Sequence, residues 1–270
     1  MSKIEVVVAT MNQQDFSLVQ KMNISTDAVI ANQCDRSSIE EKMINNHRIK
    51  YINTPTKGVG LNRNIGLSLA ENDILLLADD DIIYVDDYAR IIISAFNELK
   101  DADVIIFRMR FIKNGKEYDI DKHSTRKLHI WNGLSYGTYQ IAIKRKAVQR
   151  INLHFTHLFG GGCIYSAGED SLFLIDCFKK GLNVYSHEGL IGENIRDSSS
   201  WFNGFNEKFF FDRGIFAACA FPKLKYFLIA YYLYAYRAQK NYKTSYKWKL
   251  MKSGCENFRN LQTYEEWKNL

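Results

Sequence analysis

The stretch Asp73-Ile-Leu-Leu-Leu-Ala-Asp79-Asp80-Asp81-Ile-Ile83 sets an uninterrupted apolar run against three consecutive carboxylates. Ile74 to Leu77 is short and flanked by charge, the pattern of a strand buried on both faces in the middle of a parallel sheet. In open α/β sheets the ligand crevice lies beyond the carboxyl ends of the strands, so Asp79, Asp80 and Asp81 fall where a ligand binds. Three adjacent like charges need solvent or a cation to offset their repulsion, and hard divalent cations choose carboxylate oxygens. The triplet is therefore a candidate Mg²⁺ or Mn²⁺ site that holds a diphosphate. Taken alone, an acidic turn with one capping Asp and solvated neighbours is the commoner arrangement, and the rest of the chain decides between the two.

Upstream, Ile4 to Ala9 reads as a first strand, Asp15 to Met22 as a short helix, Ala28 to Ala31 as a second strand and Ile49 to Ile52 as a third. A polar helix is expected over Ser37 to Asn46. Leu67, Leu69 and Ala70 then recur at helical spacing before the aspartate strand, and this rhythm predicts parallel βαβ units. Downstream, Asp86 or Asp87 is placed to cap a helix through Leu99, followed by a strand at Val104 to Phe107. Asn114-Gly115 marks a hairpin that breaks the alternation. Tyr139 to Ile143 is a further strand candidate, Asn152 to Gly168 reads as irregular, and a helix from Glu169 stops at Gly181. Asn183 to Tyr185 reads as the last strand, and beyond about Ser198 the chain turns to aromatic and basic helices. The expected organisation is an α/β domain over 1–197 with a helical extension over 198–270.

Composition narrows the function classes. The chain has 270 residues, 46% of them hydrophobic, with two prolines and no low-complexity run, so it can bury a full core and shows no sign of repeats or disorder. Five widely spaced cysteines without a C-x-x-C pair indicate neither a disulfide framework nor a zinc site, which suits a reducing cytoplasm. The opening Met1-Ser-Lys-Ile-Glu-Val-Val-Val is too short an apolar run for a signal peptide, and Tyr226 to Tyr236 falls short of the roughly 20 residues that span a bilayer. The net charge of +6 is uneven: between Gly214 and Cys255 stand eight lysines and arginines and no acid, which leaves the remainder at −2. A basic tail points to an acidic membrane surface or to nucleic acid.

Two glycine-bearing segments carry further chemistry. In Lys57-Gly-Val-Gly-Leu-Asn-Arg-Asn-Ile-Gly66 the third glycine of a dinucleotide fingerprint would fall at Arg63, so that motif fails. What remains is a loop of small residues opening a helix with Arg63 on its first turns, which suits an anionic phosphate and equally a turn glycine beside a surface arginine. In Gly160-Gly-Gly-Cys-Ile-Tyr-Ser-Ala-Gly-Glu169-Asp170 the glycines let the backbone pass close to a ligand, and the two acids open a helix whose dipole favours their ionised form. A carboxylate there can serve as a general base or be an ordinary first-turn residue. His187 is a candidate third metal ligand, although a lone histidine is more often structural.

In order and spacing these features resemble the family 2 glycosyltransferases of the GT-A fold over roughly residues 3 to 190. The matching positions are the first strand with Thr10 and Asn12, the strand end at Asn32, Gly58 to Gly66 with Arg63-Asn64, the Asp79-Asp80-Asp81 triplet and Gly168-Glu169-Asp170. The resemblance implies a Rossmann-like, mostly parallel sheet with helices on both faces, and an inverting, metal-dependent transfer of a sugar from a nucleoside diphosphate, with UDP the expected nucleotide. It implies that Asp81 ligates the metal and that Asp79 touches the ribose or assists the metal. Thr10, Asn12, Arg63 and Asp80 would bind the donor, Asn32 would lie near the base, and Asp170 would take the proton from the acceptor hydroxyl. Many relatives have an Asp near Asn32, and the amide here leaves the base less defined.

The stretch Ser199 to Gly214 is similar to tails of bacterial enzymes that build capsular or other surface polysaccharides, so the implied acceptor is a saccharide, lipid-linked in such pathways. Its aromatics suit stacking on a sugar and equally a helix-packing seam. Tyr226 to Tyr236 with its lysines is similar to an interfacial helix, which favours peripheral contact with an anionic membrane over nucleic acid. A sugar-phosphate nucleotidyltransferase would show a glycine-rich, lysine-bearing signature near Val6 to Gln14, where none stands. A non-catalytic sugar-nucleotide-binding or scaffold protein would have no need of Asp79, Asp81 and Asp170 together.

Overall fold

The computed structural model describes residues 2–113, 116–118, 124–195 and 204–269. The chain opens with strand β1 (Ile4–Met11), helix α1 (Ser17–Lys21) and strand β2 (Asp27–Gln33), followed by β3 (Ser38–Ile44) and β4 (His47–Thr54). Helix α2 (Val59–Leu69) leads into β5 (Ile74–Asp79) and the short β6 (Ile82–Tyr84), and helix α3 (Tyr88–Glu98) into β7 (Val104–Lys113). Strands β8 (Lys116–Tyr118), β9 (Arg126–Lys127) and β10 (Ile141–Lys144) precede helices α4 (Arg145–Arg150) and α5 (Glu169–Lys179), and β11 (Val184–Ile195) completes the sheet.

The strands form one sheet in the order β3-β4-β2-β1-β5-β10-β7-β11-β6, with β8 on β7 and β9 on β11. Its centre is parallel: β1 lies between β2 and β5, and β2 beside β4. These strands read as near-continuous apolar runs because helices cover both faces. One face packs Leu18 of α1, Met22 just past it, and Ile92 and Phe96 of α3. The other packs Leu67 of α2, Ala147 of α4, and Phe173 and Leu174 of α5. Burial of this kind is worth about 25 cal/mol per Å² of apolar surface and supplies the main stabilisation of the fold.

The order reverses at β1, since β2 follows it on one side and β5 on the other. The carboxyl ends of β1, β2, β4 and β5 therefore meet at one edge, where the crevice of an open α/β sheet forms.

Three elements differ from the sequence expectation. Ser38–Ile44 is an edge strand, not a polar helix. Asn45 and Asn46 have φ of 50° and 65° and close a two-residue turn with Ile44 opposite His47, the conformation that two-residue hairpins favour and that Asn tolerates. Pairing with β4 thus overrides the helix propensity of Glu40, Glu41 and Lys42. Second, β11 runs on to Ile195 because β7 continues alongside it to Lys113, with register shifts between His187 and Gly192. Third, Thr138–Gln140 is a 3₁₀ turn, and only Ile141–Lys144 is a strand, antiparallel between β5 and β7. The expected hairpin is framed by β7 and β8, while Asn114 and Gly115 lie outside the described residues.

The chain divides into two compact units, Met1–His157 with Glu169–Ser199, and Leu158–Gly168 with Ser200–Leu270. The second holds helices α6 (Glu207–Ala220), α7 (Lys225–Ala235), α8 (Thr244–Asn257) and α9 (Tyr264–Lys268). A Cβ at Gly214 would meet the Met251 carbonyl oxygen at 1.8 Å, and one at Gly254 the Phe211 oxygen at 2.1 Å. These two glycines let α6 and α8 cross backbone to backbone. Phe210, Phe211 and Ile215 are fully buried, so this part of the aromatic stretch is a packing seam; Ser199 to Asn203 lie outside the described residues. Among the described residues no helix is long and apolar enough to cross a membrane.

Candidate active site

Arg63 organises the carboxyl edge of the sheet. Gly58, at φ 105°, turns the chain into α2, and α2 carries Arg63 one turn in. Its side chain is only 4% exposed. Arg63 Nη2 donates to Asp79 Oδ1 at 2.7 Å, while Nη1 lies 3.0 Å from Asp170 Oδ1 and 3.4 Å from Glu169 Oε1. A planar guanidinium can bridge carboxylates in this way, where a lysine ammonium is a single point of charge. Burial works against its charge, and the carboxylates of Asp79, Asp170 and Glu169 more than offset that cost, so its pKa is raised. Below it the Phe155 ring lies 5.2 Å from the guanidinium carbon and stacks on Phe173 of α5 at 4.1 Å. The two acidic clusters, near 80 and near 170, thus converge on one cation supplied by the protein.

Asp170 sits in the first turn of α5. Thr138, buried beside β10, donates its hydroxyl to Asp170 Oδ1, the oxygen that Arg63 also contacts. Both bonds fall on one oxygen, and the side chain is 31% exposed. At the end of β1, Thr10 Oγ1 donates to Asp80 Oδ2 at 2.5 Å and ties the first strand to the triplet. Asp81 follows in the turn to β6, and Asn194 Nδ2 approaches its Oδ1 at 3.5 Å.

Asn12, at φ 56°, extends the pairing of β1 by donating its backbone N–H to Gln33 O at 2.8 Å. Asn32 is wholly buried. Its Oδ1 accepts from Gln13 N at 3.0 Å, and its Nδ2 donates to Gln13 O at 2.9 Å and Asn53 Oδ1 at 2.7 Å. Both Nδ2 hydrogens and one lone pair of Oδ1 are engaged, so Asn32 holds the loop after β1 in place. Arg63, expected to contact the nucleotide, is paired here with the carboxylates of Asp79, Glu169 and Asp170. His187 is not with the aspartates: its Nδ1 accepts from Gly189 N at 2.9 Å, and its Nε2 lies 3.9 Å from Glu98 at the end of α3. The strand bearing it meets Asp81 at Asn194 and Ile195.

Sequence reasoning missed the positioning roles of three residues. Thr138 lies in a stretch without readable periodicity. Asn62 Nδ2 donates to Thr10 O and Ala31 O at 3.0 and 2.8 Å and pins α2 to the ends of β1 and β2. Asn64 brackets Phe155, donating to its carbonyl at 2.9 Å and accepting from its N–H at 2.7 Å. The asparagines at 62 and 64 flanking Arg63 were the available signal.

The donor set tests the expected metal. Among the described residues no three His, Cys, Asp or Glu side chains form a ready-made cage. Mg²⁺ seldom uses one, since it keeps several waters and is held by one or two carboxylates together with substrate phosphates. Asp79, Asp80 and Asp81 offer hard oxygens of the right chemistry, and Asp79, Glu169 and Asp170 share one bridging guanidinium. A diphosphate entering so acidic an edge needs added positive charge. The residues fit a cation brought in with its substrate.

A sequence profile described as glycosyl transferase family 2 matches residues 27–168. The chain belongs to glycosyl transferase family 2. The matched span contains Asn32, Arg63 and the aspartate triplet and ends two residues before Asp170. No curated protein matches the chain. Among solved structures, Staphylococcus aureus TarS 1–349 is similar at 16% identity with a TM-score of 0.61, covering 97% of this chain and 93% of that one. The same fragment in complex with UDP gives 16% and 0.60 over 97% and 93%, and in complex with UDP-GlcNAc 15% and 0.59 over 96% and 72%. This likeness shows the GT-A fold of family 2 glycosyltransferases.

Proposed function

We propose that this family 2 glycosyltransferase moves one sugar from a UDP-sugar to a hydroxyl of a saccharide acceptor, with inversion at the anomeric carbon. The observation that carries the reading is the Arg63 bridge, which brings Asp79 of the strand end and Asp170 of α5 to one point of the carboxyl edge. The UDP and UDP-GlcNAc complexes of similar structures support the choice of nucleotide.

In this reading Asp170 is the general base. Arg63 and Thr138 hold one carboxylate oxygen, and the other takes the proton of the acceptor hydroxyl as its oxygen bonds to the anomeric carbon. The bond from that carbon to the diphosphate oxygen breaks on the opposite face, and UDP leaves with the electron pair. One displacement inverts the configuration. Asp81 and Asp79 would hold Mg²⁺ or Mn²⁺, which supplies positive charge to the leaving diphosphate. Thr10 and Asp80 shape the donor side, and Asn32 and Asn12 set the loop that borders it. The acceptor we assign is a growing, lipid-linked surface glycan of the capsular kind, extended in the cytoplasm.

Thermal unfolding with a panel of nucleotide sugars, with and without Mn²⁺, tests the donor. A ligand that binds only the folded chain stabilises it by about 2.7 kcal/mol at a hundredfold excess over its Kd. UDP-sugars should raise the unfolding temperature, and more so with Mn²⁺. A panel in which another nucleotide alone stabilises the protein, or none does, overturns the assignment.

A further inference from the structure

Helix α7 has an outward face that the fold does not explain. Only Ile229 of this helix is fully buried, while Tyr226, Phe227, Ala230, Tyr231 and Tyr234 are exposed along one side. Phe227 is 77%, Tyr231 61% and Tyr234 66% exposed. A surface helix ordinarily turns charged or polar residues outward; this one turns out an aromatic stripe about 10 Å long between Phe227 and Tyr234.

Cations are set beside the stripe. Lys225 Nζ lies 5.2 Å from the Tyr226 ring centre, and the Arg237 guanidinium 4.2 Å from that of Tyr234. Lys223, Lys240 and Lys243 are exposed on either side, and no acid occurs from Gly214 to Cys255. Lys247, by contrast, is buried, with its ammonium on the carbonyls of Tyr236 and Gln239. It closes the end of α7 and takes no part in the surface.

From this arrangement we infer that the α7 face docks on an anionic lipid bilayer, with the rings at headgroup depth and the flanking cations on lipid phosphates. Aromatic rings with a polar tip favour that depth, and basic residues close to them add electrostatic attraction to anionic lipid. A second copy of the chain is the poorer partner. A two-fold contact places the same patch against itself, and here it would set basic residues against basic residues with no acid between. The inference is independent of the catalytic reading.

Sedimentation with phosphatidylcholine vesicles, with and without phosphatidylglycerol, tests it on the full chain. The protein should pellet with the anionic vesicles only and be released by salt. The exposed double substitution Phe227→Ser/Tyr231→Ser should lower the bound fraction at least about tenfold by removing the inserted rings, with thermal unfolding and donor hydrolysis unchanged. Lys223→Ser/Arg237→Ser should lower it as well. Equal binding of wild type and Phe227→Ser/Tyr231→Ser, no binding to either vesicle, or a dimer that this substitution dissociates would overturn the inference. So would binding to a single-stranded oligonucleotide that prevents pelleting.

Discussion

Arg63 and Asp79 are joined by a 2.7 Å ion pair at the carboxyl edge of the sheet, and the other arm of the same guanidinium reaches Asp170. Asp79 ends β5 and Asp170 opens α5, so one side chain of α2 fixes the distance between two elements far apart in sequence. The pair is a hinge point for function because the donor side and the proposed base are positioned by one buried charge.

Arg63→Met should therefore do more than remove a contact. It leaves three carboxylates without their counter-charge, and breaking a buried pair in this way costs about 3–5 kcal/mol. The Asp170 carboxylate also loses a group that orients it, so kcat should fall together with stability. Arg63→Lys should restore only part of both, since an ammonium cannot span Asp79 and Asp170. Denaturant unfolding and transfer kinetics check this; an unchanged kcat in Arg63→Met would separate Arg63 from the base.

Asp170→Asn keeps the shape of the side chain and removes its basicity. Transfer should fall about 10²- to 10⁴-fold, while UDP binding measured by calorimetry stays nearly intact. Thr138→Val should act through Asp170, lowering kcat more than it raises KM, because it frees the oriented carboxylate without touching the donor. Transfer by Asp170→Asn within about tenfold of wild type would remove Asp170 as general base.

Much of this arrangement was legible before the structure. The βαβ rhythm, the apolar run ending at Asp79 and the glycine-rich approach to Glu169-Asp170 are local patterns. What escaped was set by contacts between distant segments. The edge strand Ser38–Ile44 depends on β4 as a partner, and its Glu-rich sequence alone favours a helix. Asn32 and Arg63 were expected to face the nucleotide, as polar residues at a ligand edge do. Both are buried and pair with Gln13, Asn53 and the carboxylates, and no spacing along the chain reports that. His187 follows from the same limit, because the continuation of β11 carries Asn194, not the histidine, to Asp81.

Gly60→Ala tests the fit of α2 against the segment that bears Phe155. A Cβ there would lie 2.1 Å from the Thr156 carbonyl oxygen, a backbone atom that cannot rotate aside. The helix must shift, at a cost of about 1–3 kcal/mol, and with it Arg63 and Asn64. Transfer should fall along with stability, and a thermal unfolding midpoint equal to that of the wild type would show that α2 does not rest on this contact.

Glu207 offers a pH test in the helical unit. Its carboxylate accepts from the hydroxyls of Tyr264 and Tyr246, the latter at 2.9 Å, and lies 3.1 Å from Lys268 Nζ. These hydrogen bonds, that of Tyr264 foremost, hold its pKa below the ordinary 4.5. A carboxyl group lowered on folding contributes stability above its unfolded pKa and loses it as pH falls through the folded value. Glu207→Gln should accordingly unfold about 2–4 °C below wild type at neutral pH, as roughly 1 kcal/mol would cause in a domain of this size, with the gap closing below pH 4.5. A gap that persists undiminished in acid would show that the shape of the side chain, and not its charge, ties α6 to α8 and α9.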